Sequence, residues 1–242
     1  MPMRSARRLA SVAAVASLAV AGLSACRSEP SVAAYLGDSK ITESRVTDVF
    51  DEMRDAVEAA GPPAQGQPAA PPITRAEVAR VLVSAEVLPV VAQQQGVTPP
   101  ADLQLKSYAQ ALQVPESTEF IRLFAQEDNY ATALRQKAKG APTPTEAQLH
   151  DVFDALVAAG QQGTYEDFKA KFPAESVQVV ASAYAVQGQI EQVTDKMHVT
   201  VNPRYAPLGI PVLQIQGQTG EILPVVEAPM GGDQSVPVTD VR

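Results

Sequence analysis

The stretch VAAYLGDSKIT, residues 32–42, decides how the fold begins. Val32–Leu36 is a short run that is compatible with a β-strand, Gly37-Asp38 is a turn signal, and Lys40-Ile41 can return as a second strand. Thr42 is placed to cap a helix. Its apolar residues are spaced by three or four until Gly61 ends it: Val46, Val49, Phe50, Met53, Val57 and Ala60. The segment therefore predicts a β-hairpin followed directly by an amphipathic helix.

Capping residues and the same spacing of apolar residues predict further helices along the chain. Pro89 lies inside one apolar run, and a kink or break is expected near it because proline has no N–H to donate. Residues 61–72, GPPAQGQPAAPP, hold five prolines and two glycines and are interpreted as an exposed loop between helices. The predicted helix starts are Thr74, with a capping-box Glu77; Thr98; Ser117; Thr143, with Pro144 at the first helical position and a capping-box Glu146; Thr164; and Glu175, whose helix runs to about Lys196.

The last part of the chain is predicted to add one strand and a tail. Val199–Val201 is compatible with a strand. Residues 206–242 are rich in proline, glycine and glutamine without a sustained period, so they are predicted to be extended or disordered. The expected fold class is mainly α, with a multi-helix domain over residues 26–205 and a small sheet formed by short N- and C-terminal strands.

The first 25 residues have the pattern of a secretory signal peptide. Three arginines precede an apolar run from Leu9 to Leu23, and the sequence Leu23-Ser24-Ala25-Cys26 follows. This ending resembles the lipobox of bacterial lipoproteins, in which the cysteine is diacylated and becomes the first residue. Cys26 is the only cysteine in the chain. The resemblance implies lipidation at Cys26, anchoring to the extracytoplasmic side of the cell membrane by two acyl chains, and a mature charge of −11 instead of −8, since residues 1–25 hold three arginines and no acid.

Composition argues against several classes of function. The chain has 242 residues and a net charge of −8, and nucleic-acid binding needs clustered cations instead. One cysteine excludes a disulfide framework. His150 and His198 have no further ligands at metal-binding spacing, and no P-loop, G-x-G-x-x-G or G-x-S-x-G motif is present. We therefore predict no catalytic residue, no metal and no cofactor.

Aromatic residues are the one binding signature in the sequence. Most of them lie on helical stripes, where core packing is the ordinary role, but apolar surface that the core does not bury can also hold an apolar ligand. Phe120, Phe124 and Phe153 are the candidate residues for such a substrate cradle.

The order of these segments resembles that of a known family. A lipobox is followed by VAAYLGDSKIT, a set of capped helices, TPTEAQLHDVF, TYEDFK, a long helix and VTVNPRY, which spans about residues 32–205. This order is similar to the chaperone module of extracytoplasmic foldases of the SurA and PrsA type, in their lipoprotein form. The resemblance implies a helical module that binds partly folded secreted polypeptides. It also implies that a returning strand closes the module, with Val199–Val201 pairing with Val32–Leu36.

The chain departs from that family in one respect. Members that isomerise prolyl bonds carry a parvulin domain of about one hundred residues, and residues 143–198 leave no room for it. The expected function is thus a non-enzymatic, lipid-anchored chaperone. Two alternatives stay open, which are a small peptidyl-prolyl isomerase and a structural lipoprotein with one dedicated partner.

Overall fold

A computed structural model describes residues 29–61, 72–217 and 222–230. Its fold is mainly helical with small sheets, as the sequence predicts. The elements belong to one compact unit that begins at Ser31. In chain order they are β1 (Val32–Leu36), β2 (Ser39–Thr42), α1 (Glu43–Ala60), α2 (Arg75–Gln95), α3 (Leu105–Leu112), α4 (Glu119–Lys137), α5 (Glu146–Ala158), α6 (Tyr165–Lys171), α7 (Ala174–Lys196), β3 (Thr200–Val201), a 3₁₀ turn (Pro203–Tyr205), β4 (Leu208–Gln216) and β5 (Ile222–Met230).

The predicted opening hairpin is confirmed. β1 pairs with β2 in antiparallel register, with Tyr35 opposite Lys40. Gly37 has a φ of 63° in the turn, a conformation that glycine adopts without the steric cost of a Cβ. The Thr42 side chain accepts a hydrogen bond from the backbone N–H of Arg45 at 3.2 Å and so caps α1. The first 11 residues of the strand–turn–helix stretch thus follow their local signals.

The predicted pairing between the two ends of the domain is also confirmed. β3 lies antiparallel to β1, with Val201 opposite Ala34, and the sheet order is β2-β1-β3. Asn202 extends this junction, because its backbone N–H bonds the carbonyl of Ala33 at 2.8 Å and its side-chain amide bonds that of Val32 at 3.0 Å. The start of the chain is therefore held by residues about 170 positions later.

Of the kink or break expected near Pro89, the break is wrong, because α2 runs through this residue from Arg75 to Gln95. A proline inside a helix costs about 3 kcal/mol through one lost hydrogen bond and a ring clash. Four neighbours of Pro89 are nearly inaccessible to solvent, and burial of each larger side chain stabilises the fold by about 1.5–3 kcal/mol. Packing on both sides of the proline thus outweighs its local cost; the four are Val87, Leu88, Val91 and Ala92.

α3 begins later than the Thr98 predicted for it. Its N-cap is Gln104, which has a left-handed φ of 51°, and Leu105 is the first helical residue. The carboxylate of Asp102 accepts hydrogen bonds from the backbone and the side-chain amide of Gln104, at 3.0 and 2.6 Å. This local turn supplies the backbone with partners outside a helix and delays the helix start.

Two other N-caps differ from those predicted. α4 is capped by Thr118 instead of Ser117, one residue later. α5 is capped by Thr145 instead of Thr143, and Gln148 completes the capping box in place of the predicted Glu146. Both sites offer two hydroxyl residues close together in the sequence, so the local signal places each helix start only to within two residues.

The tail predicted for residues 206–242 is extended where the structure describes it, but it forms a packed hairpin and not an unpacked or disordered segment. β4 and β5 form an antiparallel hairpin with Ile210 opposite Ala228. The first five residues of β4, 208–212, are all buried, and Ile210 and Val212 are 0% and 1% exposed. The hairpin packs on α2, α4, α5 and α7. Several predicted features lie outside the described residues: the signal peptide at residues 1–25, the lipidation site Cys26, most of the loop at residues 61–72, and residues 231–242 of the tail.

Proline was the misleading signal in this tail. Pro211 lies in β4, while Pro224 and Pro229 lie in β5. A two-stranded sheet gives each strand one edge without a strand partner, so a missing N–H on that edge breaks no ladder hydrogen bond.

A single hydrophobic cluster joins the first sheet, the helices and the C-terminal hairpin. The largest side chains with less than 2% exposure come from α2, α4, α7 and β4, and include Phe120, Leu88, Ile121, Leu134, Ile190 and Ile210.

Candidate functional site

Phe120 and Phe124, two of the candidate cradle residues, lie in the core. Their exposed fractions are 1% and 5%. Their ring centroids are 6.1 Å apart, and the ring of Tyr108 meets Phe124 edge-on at 5.8 Å. In this conformation neither ring offers apolar surface to a client, so the cradle assignment of these two residues is corrected to core packing.

Phe153, the third candidate, lies in a different cluster. Its ring centroid is 5.7 Å from Tyr165 and 5.5 Å from Phe168, which in turn is 4.5 Å from Phe172. His150 stacks on Tyr165 with centroids 3.5 Å apart. These five residues, here called the aromatic cluster, join α5 to α6. The structure therefore does not bring Phe153 together with Phe120 and Phe124.

Ion pairing supports the same junction of α5 and α6. The Lys169 ammonium lies 2.7 Å and 2.8 Å from the Glu146 carboxylate oxygens, and the Tyr165 hydroxyl donates to Oε1 at 3.0 Å. The hydrogen bond from Lys169 is the main cause that lowers the pKa of Glu146, and the same bond raises the pKa of Lys169. A carboxylate held in its charged form is suited to structural pairing and not to general-acid catalysis at neutral pH.

A cavity of about 370 Å³ lies beside the aromatic cluster. Phe168 and Phe172 contribute rings to its wall, with Leu156 and Pro173 as further apolar residues. Asp167 and Lys171 also line it and are 3.9 Å apart, so their charges balance each other. The cavity lining therefore favours neither anionic nor cationic ligands. The ion pair between Asp167 and Lys171 is also exposed to solvent.

Sequence reasoning missed a buried polar network between α2 and α4. Glu127 is 3% exposed; it pairs with Arg80, and Ser84 donates to its Oε2 at 2.5 Å. The sequence feature that could have revealed this network is the position of Glu127. It lies three residues after Phe124 and four before Ala131, on the same buried stripe of α4. Ser84 is 0% exposed, which keeps substrates away from its hydroxyl. The network acts as a structural contact between the two helices.

A groove lies between the end of α4 and the first turns of α7. Its volume is about 580 Å³, and Val179 contributes apolar surface to it with 45% of the residue exposed. Arg135 and Lys139 line one side, and Glu175 and Gln178 line the other. We call this the α4–α7 groove. It combines apolar surface with two cations and one anion.

Arg135 is a half-buried cation in this groove. Its guanidinium donates to the backbone carbonyl of Val212 and, at 3.0 Å, to the hydroxyl of Thr132. Burial lowers the pKa of Arg135, and attraction to Asp128 opposes that effect. The Asp128 carboxylate itself accepts the hydroxyl of Tyr108 at 2.6 Å. Among the described residues, Arg135 has no carboxylate within ion-pair distance.

Histidines do not form a metal centre in the described part of the chain. No group of three or more His, Cys, Asp or Glu side chains that could hold a metal ion occurs there. His150 is stacked in the aromatic cluster, and His198 follows α7 with a left-handed φ of 50°. Across residues 29–61, 72–217 and 222–230, no helix is long and apolar enough to cross a membrane.

Comparisons with protein-family models, with curated proteins and with solved structures found no match for this chain.

Proposed function

We propose that the mature chain is a lipid-anchored protein on the extracytoplasmic side of the cell membrane that binds partly folded secreted polypeptides without catalysing a reaction. The lipobox at residues 23–26 supports the anchor. The resemblance to the SurA and PrsA chaperone module supports the choice of polypeptides as ligands. The α4–α7 groove is the observation that carries the proposal, because it provides apolar surface that the core does not cover.

The dimensions of the groove suit a short polypeptide segment. Sites for small ligands usually have volumes of about 300–1,000 Å³, and the groove has about 580 Å³. Exposed Val179 can contact apolar side chains, while Gln178 and Ser182 offer polar groups for a client backbone. Apolar contact is non-directional, so a site of this kind tolerates many sequences and binds each of them weakly.

One observation favours a second candidate, the lipoprotein with one dedicated partner. Among the large hydrophobic residues described, Val157 and Val179 are the two that are exposed, at 44% and 45%. A general holdase benefits from a broad apolar surface, whereas a narrow groove is also compatible with one specific segment. Photocrosslinking from the groove in native envelopes distinguishes the two, because many crosslinked clients support the chaperone and one product supports the dedicated partner.

The test of the proposal uses the mature protein without its lipid. We expect it to suppress aggregation of a denatured model protein when present in molar excess. Val179→Asp should weaken suppression by placing a charge on the apolar surface, whereas Val157→Asp should not. The two valines have nearly equal exposure and both lie in helices, so Val157→Asp is a matched control. Equal suppression by both variants would remove the groove from the function.

The isomerase alternative is tested on the same preparation. A protease-coupled assay on a proline peptide should show no acceleration, since a rotation barrier of about 20 kcal/mol falls only where a site stabilises the twisted amide. Turnover that survives further purification would replace the chaperone proposal with the enzymatic one.

A further inference from the structure

We infer that the α4–α7 groove selects polypeptide segments that carry a carboxylate next to apolar side chains. This inference rests on the proposed function and names the class of segment that the groove takes. Its basis is the uneven charge of the groove, where Arg135 and Lys139 face the single carboxylate of Glu175.

Arg135 is the central recognition group. Its two hydrogen bonds go to uncharged acceptors, the carbonyl of Val212 and the hydroxyl of Thr132, and they leave its charge without a carboxylate among the described residues. Asp128, the one acid that influences it, is engaged by Tyr108. A cation that is partly removed from water and not neutralised favours an anionic ligand, because the ligand supplies the missing charge.

The two other charged residues of the groove, Glu175 and Lys139, differ in their interactions with the rest of the protein. Glu175 lies in the first turn of α7, where a carboxylate interacts favourably with the partial positive charge of the helix terminus. Lys139 lies beyond the end of α4 and makes no ion pair with a described residue. It is therefore available to a second carboxylate oxygen or to a neighbouring acidic residue.

Val179 adds a requirement for apolar side chains in the bound segment. A carboxylate alone would use the cations and leave the exposed valine surface in water, whereas an acidic residue flanked by leucines covers both. The mature chain is acidic as a whole, so a net positive groove also gives acidic segments one favoured place to bind.

The experiment compares three short peptides of leucine and serine that carry a neutral coumarin dye. The first has one central glutamate and an amidated end, the second has glutamine instead, and the third is the glutamine peptide with a free C-terminal carboxylate. We expect the glutamate peptide to bind the delipidated protein about tenfold more tightly than the amidated glutamine peptide, with a preference that falls as salt is added. Tight binding of the third peptide would identify the chain terminus as the carboxylate recognised.

Charge reversal tests the residues. Lys139→Glu should abolish the preference for the glutamate peptide, whereas Lys137→Glu, which makes the same change at the end of α4 but outside the groove lining, should leave it intact. Arg135→Met keeps most of the aliphatic stem and should also abolish the preference; its melting curve shows whether the loss of the Val212 contact has unfolded it.

The outcomes separate the inference from the proposed function. Equal binding of the glutamate and amidated glutamine peptides would overturn the inference and leave the groove as a polypeptide site. Absence of binding by all three would overturn both. Binding of dodecanoate with none of the peptides bound would replace the polypeptide by a lipid-like carboxylate and likewise overturn the inference.

Discussion

Removal of the C-terminal hairpin is expected to unfold the protein. The perturbation is a chain that ends at Tyr205 and therefore lacks β4 and β5. Judged by composition alone, this deletion should be harmless, since residues 206–242 have no sustained hydrophobic period. The structure predicts the opposite, because six large apolar side chains of the hairpin are at most 9% exposed: Leu208, Ile210, Val212, Val225, Val226 and Met230.

The magnitude follows from this burial. Each of the six side chains contributes about 1.5–3 kcal/mol, which amounts to roughly 9–18 kcal/mol in total. Residual burial in the unfolded chain reduces this by about a third, to roughly 6–12 kcal/mol. A domain of this size is stable by about 5–15 kcal/mol. The loss is thus comparable with the whole free energy of unfolding, before the newly exposed faces of α4 and α7 are counted.

The assay compares thermal unfolding of three delipidated chains by circular dichroism, ending at Tyr205, at Met230 and at Arg242. We expect cooperative melting for the two longer chains and none for the shortest. The chain ending at Met230 is the control, because it keeps the hairpin and removes only residues 231–242. A cooperative transition of the shortest chain at the temperature of the full-length protein would refute the assignment of the hairpin to the core.

Three further predictions concern single residues. Glu127→Gln should lower the free energy of unfolding by about 3–5 kcal/mol, because it leaves the partly buried Arg80 without its counter-charge; urea unfolding measures this, and a loss below 1 kcal/mol would contradict the role of the network. The hydrogen bond from Arg45 is the main cause that lowers the pKa of Glu119, so its stabilisation is present above the ordinary carboxyl pKa and is lost as the pH falls through the lowered value. Glu119→Gln should therefore reduce the acid-side slope of stability against pH, and an unchanged slope would argue against the pair. Cys26→Ser should leave the protein soluble or uncleaved in cell fractionation, and a processed variant that stays in the membrane would disprove the lipid anchor.

The candidate site was less predictable than the fold. Phe120 and Phe124 have the composition of a binding surface, but the packing of α2, α3 and α4 around them places both in the core. The groove depends on Arg135 and Val179, which are 44 positions apart in the chain and become neighbours only when α4 meets α7. No spacing rule within one helix can indicate such a pair. Glu127 is the exception, because an acid on an apolar stripe is visible in the sequence.

The sequence by itself determined the features that depend on near neighbours. The turn at Gly37, the caps at Thr42 and Thr74 and the ends at Gly61 and Gly96 are set by hydrogen bonds and backbone preferences within about four residues. The mainly helical class follows from the same signals. The pairing of β1 with β3 joins distant parts of the chain, and it was expected from the order of segments that resembles a known module, not from local signals.

Only the tertiary structure decided which apolar surface is covered. α7 carries a nearly continuous apolar run in which Val180 is 2% exposed and Val179 is 45% exposed, and the difference arises from where α4 and the hairpin contact it. The helix through Pro89 and the strands of the hairpin likewise form because burial by distant residues outweighs unfavourable local preferences. Local free energies select turns and caps, whereas burial is a property of the assembled chain.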